Sequence, residues 1–203
     1  MSNPLVTVAF ADDEPGILQV LLVACEPRYQ IVGTAKNGHE TVQLVKDAKP
    51  NVLVLDIHMP SLDGLAALKQ IVPLRTTAVV VLTADQSPDL ARQAMDAGAC
   101  GYMNKPFELV QIVPALETAW HRFQSDLALS DELAKMSENL ETRKLLDKAK
   151  GILMEQQGFS EEMAHKALQK MSQDQGISLK EVCRSVIQVK MVLGTSAKAR
   201  KAA

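Results

Sequence analysis

Val52-Leu53-Val54-Leu55-Asp56 runs into Ile57-His58-Met59-Pro60, and Asp63-Gly64 follows. Four aliphatic residues lead straight into a carboxylate, and then the chain turns. A short apolar run without polar alternation is the pattern of a strand buried on both faces of a parallel sheet. Pro60 and the Asp63-Gly64 pair end it and open a loop. Asp56 therefore stands at the carboxyl end of a central strand, where open α/β sheets carry their sites. A carboxylate in that place serves as a metal ligand or as a nucleophile.

The flanking sequence repeats the pattern. Val6 to Ala11 is a buried strand that ends at Asp12-Asp13-Glu14. Pro15 then opens a helix, at a position where its missing N–H does little harm. Ile17, Leu18, Leu21, Leu22 and Cys25 recur along that helix at helical spacing. Tyr29 to Ala35 is a second strand, and Asn37-Gly38 turns into a helix bearing Thr41, Val42, Leu44 and Val45. After the strand at Asp56 come a helix over Leu65 to Ile71 and a strand over Ala78 to Leu82 that ends at Thr83-Ala84. Ser87 to Ala97 is a helix stopped by Gly98, and Gly101 to Asn104 is a short strand ending at Lys105-Pro106. Phe107 onward is helical. Five strands alternating with five helices in about 120 residues predict a doubly wound, five-stranded parallel α/β sheet covered on both faces.

Such a sheet brings Asp12, Asp13, Asp56, Thr83 and Lys105 together. Three adjacent carboxylates repel and raise one another's pKa. A divalent cation removes the conflict, and an all-oxygen ligand set favours Mg²⁺. Lys105 adds an ammonium and Thr83 a hydroxyl. Cation, ammonium and hydroxyl together neutralise a phosphoryl group carried on Asp56, and a carboxylate that accepts a phosphoryl group is an established covalent device.

Asp12-Asp13, Asp56-x-x-Met59-Pro60-x-x-Asp63-Gly64, Thr83-Ala84 and Lys105-Pro106 resemble the receiver domain of two-component response regulators over residues 5–121. The resemblance implies a flavodoxin-like fold with Asp56 as phosphoacceptor and a sensor histidine kinase as phosphodonor. It implies Mg²⁺ held by Asp12, Asp13, Asp56 and the backbone carbonyl of His58. It implies switch roles for Thr83 and Tyr102, a phosphate-binding Lys105, and a cis Lys105–Pro106 peptide, which an X-Pro bond tolerates. Tyr102 also fits a half-buried aromatic at a sheet edge. Beyond self-phosphorylation and self-dephosphorylation, no enzymatic activity is expected. Phosphatases of the haloacid dehalogenase type need a second Asp two residues after the nucleophile and a Thr two further on; His58 and Pro60 occupy those places.

From Phe107 to about Gln157 the only breakers are Pro114 and Gly151. Leu116, Ala119 and Phe123, and then Leu129, Leu133, Met136 and Leu140, fall three and four apart, in two frames that disagree near Asp126. This predicts that the last receiver helix continues into an imperfect coiled coil over 122–141, with Leu129, Leu133, Met136 and Leu140 as a dimerisation seam. Gly158 closes the next helix. Ser160, followed by Glu161-Glu162, caps another. Ser178 with Glu181 is a capping box for a third. Residues 142–193 thus read as a small three-helix bundle, and 194–203 as a disordered basic tail. Charge divides along the same lines. From Glu141 onward 12 Lys+Arg face 7 Asp+Glu, whereas the first 140 residues hold 10 against 17. An acidic front and a basic back point to different partners.

Arg143-Lys144, Ala149-Lys150-Gly151-Ile152-Leu153-Met154 and Ser160-Glu161-Glu162-x-Ala164 resemble the ANTAR domain of transcription antiterminators, over 127–190. His165-Lys166-Ala167 departs from the aromatic-aliphatic pair common in that family. The resemblance implies binding to paired RNA stem-loops, whose loops present readable, unstacked bases. Gly151 inside a helix costs about 1 kcal/mol relative to Ala. Either close packing or the close approach of a backbone or nucleotide accounts for it. Arg143, Lys144, Lys148 and Lys150 form a cluster suited to phosphates, or else a solvated charged face.

The three cysteines, Cys25, Cys100 and Cys183, are far apart and read as reduced thiols. MSNPLVTVAF lacks a signal-peptide pattern and no apolar run is long enough for a bilayer, so a cytoplasmic, membrane-free protein is expected. The combined expectation is a phosphorylation-controlled antiterminator that forms a homodimer when phosphorylated. A DNA-binding regulator and a protein-binding adaptor are the alternatives.

Overall fold

The computed structural model describes residues 5–26 and 28–201, with side chains described as far as Lys190. The chain divides after Leu129 into two compact units.

The first unit holds β1 (Thr7–Ala11), α1 (Pro15–Cys25), β2 (Gln30–Ala35), α2 (Gly38–Ala48), β3 (Val52–Asp56), α3 (Gly64–Ile71), β4 (Ala78–Thr83), α4 (Pro88–Asp96) and β5 (Gly101–Asn104). A one-turn 3-10 helix at Val72–Leu74 follows α3. All strand pairs are parallel, in the order β2-β1-β3-β4-β5. This is the doubly wound, flavodoxin-like order, which reverses direction beside β1 and β3.

β3 is buried at every position. Leu53 and Leu55 join Val42, Val45, Ala67, Leu68 and Ile71 in one core. Val52 and Val54 point the other way, toward Leu18, Leu21, Ile112 and Leu116. Two apolar layers on a single strand are what its unbroken aliphatic run requires. The start of α2 is capped by Asn37, whose side chain accepts from the Glu40 amide, and α3 by Asp63, which accepts from Ala66. Gly98 closes the α4 loop with φ at +99°.

α5 is one helix of 49 residues, Leu109–Gln157. It runs through the division between the units without a break. Pro114 lies in its second turn, where the carbonyl left without a partner belongs to Val110, which is 71% exposed and open to water. The last receiver helix, the coiled-coil stretch expected at 122–141 and the first bundle helix are thus a single element, as the expected continuation requires. No glycine or proline other than Gly151 interrupts the chain between Pro114 and Gly158. Phe123 was expected at the start of the linker, yet it packs with Trp120 against the core of the first unit.

In the second unit, α6 (Glu161–Gln175) and α7 (Leu179–Lys201) complete a three-helix bundle with the end of α5. Its core is Ala149, Ile152, Leu153, Ala164, Leu168, Val182, Cys183 and Ile187. Ser160 caps α6, and Ser178 and Glu181 bond reciprocally at the start of α7. Gly158 and Gly176 end α5 and α6 at φ of +68° and +64°. The tail read as disordered, 194–203, is entered by α7, whose backbone is helical to Lys201; its side chains and the last two residues lie outside the described residues. The three cysteines are free thiols. Among the described residues, no helix is long and apolar enough to cross a membrane.

Candidate functional site

The carboxyl ends of β1, β3, β4 and β5 bring the expected residues together. Asp12, at the end of β1, is 1% exposed, and Asp56, at the end of β3, is 3% exposed. Asp13 is on the surface beside them. One oxygen from each of the three carboxylates lies within 4.8 Å of the others. Lys105 Nζ stands 2.8 Å from Asp56 Oδ2 and 2.8 Å from Asp12 Oδ2. The Lys105–Pro106 peptide is cis.

Each electrostatic shift has a physical cause. Burial pushes the Asp12 carboxyl above its usual range, and the Lys105 ammonium 2.8 Å away offsets only part of that. Burial alone would lower the Lys105 ammonium, but its bonds to Asp12 and Asp56 outweigh burial and hold it above its ordinary value. Lys105 is therefore a fixed cation. Asp12 Oδ2 meets it as an ion pair but has no hydrogen bond of good geometry. A buried carboxylate oxygen left in that condition, within reach of two more carboxylates, is the donor set a hard divalent cation takes. The residues present thus fit Mg²⁺.

Backbone geometry places Asp56. A Cβ on Gly64 would fall 1.9 Å from the Asp56 carbonyl oxygen, and the Gly64 amide donates to Ile57 O at 2.8 Å. Only glycine permits this approach. The turn at Asp63-Gly64 therefore holds the end of β3 in place as well as ending it.

Four contacts at the site were not visible in the sequence. His58 Nδ1 lies 3.2 Å from Thr83 Oγ1. The Asp85 amide donates to that same hydroxyl at 3.2 Å, and the Asp85 carbonyl accepts from Tyr102 Oη at 2.9 Å. Glu14 Oε1 reaches Lys105 Nζ at 3.3 Å. Asp85 and Glu14 flank the site motifs by one or two residues, but their reach across loops is a property of the fold. Tyr102 is half-buried, and burial and the nearby Asp85 raise its phenol.

The second unit's expected residues are more open. Leu129, Leu133, Met136 and Leu140 are each more than half exposed. Arg143, Lys144 and Lys148 are exposed. Lys150 differs from these three. Its Nζ pairs with Asp147 at 3.0 Å and with Glu161 at 2.8 Å, and its side chain is 14% exposed.

Comparison with known proteins agrees with this division. The response regulator receiver domain family matches residues 8–117, and the ANTAR domain family matches 134–187. The chain belongs to the response regulators that join a receiver domain to an ANTAR domain. It is 40% identical to the transcriptional regulatory protein PdtaR of Mycobacterium tuberculosis over 189 residues, 93% of this chain and 91% of that one. The receiver domain of the putative response regulator NarL from Mycobacterium tuberculosis is 28% identical with a TM-score of 0.55, over 57% of this chain and 96% of that one. The response regulator domain of CheB from Thermotoga maritima is 28% identical with a TM-score of 0.53, over 59% and 97%. The chain is thus a two-component signalling regulator of transcription.

Proposed function

We propose that this protein is a cytoplasmic antiterminator whose binding to RNA stem-loops is controlled by phosphorylation of Asp56. The observation that carries the reading is Lys105 Nζ at 2.8 Å from both Asp12 and Asp56, beside three clustered carboxylates. A carboxylate oxygen of Asp56 attacks the phosphorus of a phosphohistidine on a sensor kinase. The N–P bond breaks, an acyl phosphate forms, and the imidazole nitrogen leaves with the bonding pair. Asp12, Asp13, Asp56 and the His58 carbonyl would hold Mg²⁺, which supplies charge neutralisation to the phosphoryl oxygens. Lys105 contributes a fixed ammonium. Thr83 donates its hydroxyl to the new phosphoryl group, and Tyr102 responds through Asp85. No separate substrate is turned over.

Phosphorylation favours a homodimer through Leu129, Leu133, Met136 and Leu140, whose exposure marks an unsatisfied apolar stripe. Two joined bundles gain avidity for two neighbouring stem-loops. Arg143, Lys144 and Lys148 contact phosphates; Lys150, already paired, supports the bundle surface beside them.

Filter binding tests the whole reading, with tandem RNA stem-loops and duplex DNA as probes and with beryllofluoride present or absent. RNA retention that rises with beryllofluoride supports it. Preference for duplex DNA would make the protein a DNA-binding regulator, and retention of neither would make it a protein-binding adaptor.

A further inference from the structure

Gly151 lies in the interior of α5, helical and exposed. It is not among the glycines with positive φ, so its backbone accepts any L-residue. A Cβ built there would meet nothing within 4 Å. Among the described residues neither conformation nor packing calls for glycine here, although glycine is among the poorest residues for a helix interior. Gly16 is equally free of neighbours, but it stands in the first turn of α1, outside the helix interior.

Charge on the surrounding face is uneven. Residues three, four and seven positions away share the Gly151 face. Toward the N-terminus these are Lys144, Asp147 and Lys148; toward the C-terminus, Met154 and Glu155. Asp147 is held by Lys150 at 3.0 Å, and Glu155 is held by Lys190. Both acids on the face already have a lysine. Arg143, Lys144 and Lys148 have no ion pair among the described residues. The result is a net positive helix face with a gap in its side chains.

We propose that the sugar-phosphate backbone of an RNA loop crosses α5 at Gly151, in van der Waals contact with the helix, with Lys144 and Lys148 on the phosphates beside the crossing. This rests on the reading of the bundle as an RNA binder. The absence of a Cβ lets the strand approach the helix axis, which brings phosphates within reach of lysines one and two turns away. A second copy of the chain suits the gap poorly. The apolar residues of α5 that are more than half exposed between Leu129 and Gln157 end at Leu140, Met154 being 41% exposed, and an in-register copy would bring the same three cations together.

The test uses the full chain with beryllofluoride. RNAs retained by the wild type from a pool of tandem stem-loops with randomised loops serve as the probe. Gly151→Ala should raise the melting temperature by a few degrees, because it removes a poor helix former without a clash. It should weaken RNA binding about tenfold, the effect of one displaced close approach, with a shallower salt slope where the lysines lose phosphates. Lys144→Ala with Lys148→Ala should flatten the slope of log K against log salt by about 1.4 to 1.8. A Gly151→Ala protein that binds the probe as the wild type does overturns the proposal. So does one whose RNA binding falls only because its dimer dissociates in sedimentation, which would assign the gap to a second copy. Failure of the wild type to retain any RNA would remove the underlying RNA-binding reading instead.

Discussion

Gly64 and Gly151 show how differently the two units carry their sites. At Gly64 a methyl group would sit 1.9 Å from the carbonyl of Asp56; at Gly151 it would meet nothing within 4 Å. The first glycine is required by the protein's own backbone, beside a buried acid. The second is required by nothing among the described residues. In the receiver the site is completed internally: strand ends, a fixed lysine and buried carboxylates hold one another in place. In the bundle the core is closed and the candidate site is the surface left over, so its residues make sense only against a partner. Mutations in the two places should therefore differ in kind. Changes at the first should cost stability and chemistry together. Changes at the second should cost binding and leave stability intact or improved.

The sharpest break of this contrast lies at Asp56. Asp56→Asn should abolish labelling by acetyl phosphate, and chelation of Mg²⁺ should do the same to the wild type, since the buried Asp12 oxygen then lacks its cation. Persistent acid-stable label on the variant would place the acceptor elsewhere. Gly64→Ala should lower stability by about 3 kcal/mol or more, because the displaced atom is backbone and cannot move aside. Urea denaturation of the full chain reads this directly. A midpoint equal to the wild type's would mean that the turn relaxes cheaply and that the contrast between the two glycines is false.

The seam of α5 should yield a smaller but still large effect. Leu133→Asp with Leu140→Asp alters two residues that are more than half exposed, so stability should change by less than about 0.5 kcal/mol per site. Labelling of Asp56 should be unaffected. The dimer promoted by beryllofluoride should be lost in sedimentation, and RNA affinity should fall about a hundredfold as two-site binding becomes one-site. A dimer equally stable with and without beryllofluoride in the wild type would break the link between phosphorylation and RNA.

Most of the receiver was legible from its sequence because its site is built from strand ends. An unbroken aliphatic run fixes a two-faced strand, and the residues just past its carboxyl end must emerge on the functional edge. Asp12, Asp13, Asp56, Thr83 and Lys105 take their places by that logic alone. Contacts that cross between loops were not legible: Glu14 on Lys105, Asp85 between Thr83 and Tyr102, and His58 on Thr83. Helix ends marked by caps were found at Ser160 and Ser178. The continuity of α5 was legible, because Gly151 is the only breaker between Pro114 and Gly158, but which unit each of its two apolar frames serves was harder to read. Phe123 satisfies the first frame against the receiver core, and the residues from Leu129 belong to the second. Lys150 was grouped with its cationic neighbours in sequence, yet its partner Glu161 comes from α6, across a turn that periodicity does not locate.

The finest distinction concerns His58, two residues beyond the phosphoacceptor. Its backbone amide donates to Asp56 Oδ1 at 3.2 Å, while its ring nitrogen Nδ1 stands 3.2 Å from the Thr83 hydroxyl. Thr83 Oγ1 also accepts from the Asp85 amide, and in the tautomer that leaves Nδ1 unprotonated its single proton goes to the imidazole. A phosphoryl group on Asp56 needs that proton, and the bond to His58 then competes with it. A neutral hydrogen bond of this kind is worth about 1 kcal/mol net, or about fivefold in an equilibrium. His58→Ala should therefore lower the beryllofluoride concentration at half-saturation by about fivefold, read by calorimetry with Mg²⁺ present. The backbone carbonyl at position 58 remains in the variant, so loss of the metal ligand is not a rival cause. An unchanged midpoint would show that the imidazole does not restrain Thr83. A higher one would show that it helps to orient the hydroxyl toward Asp56.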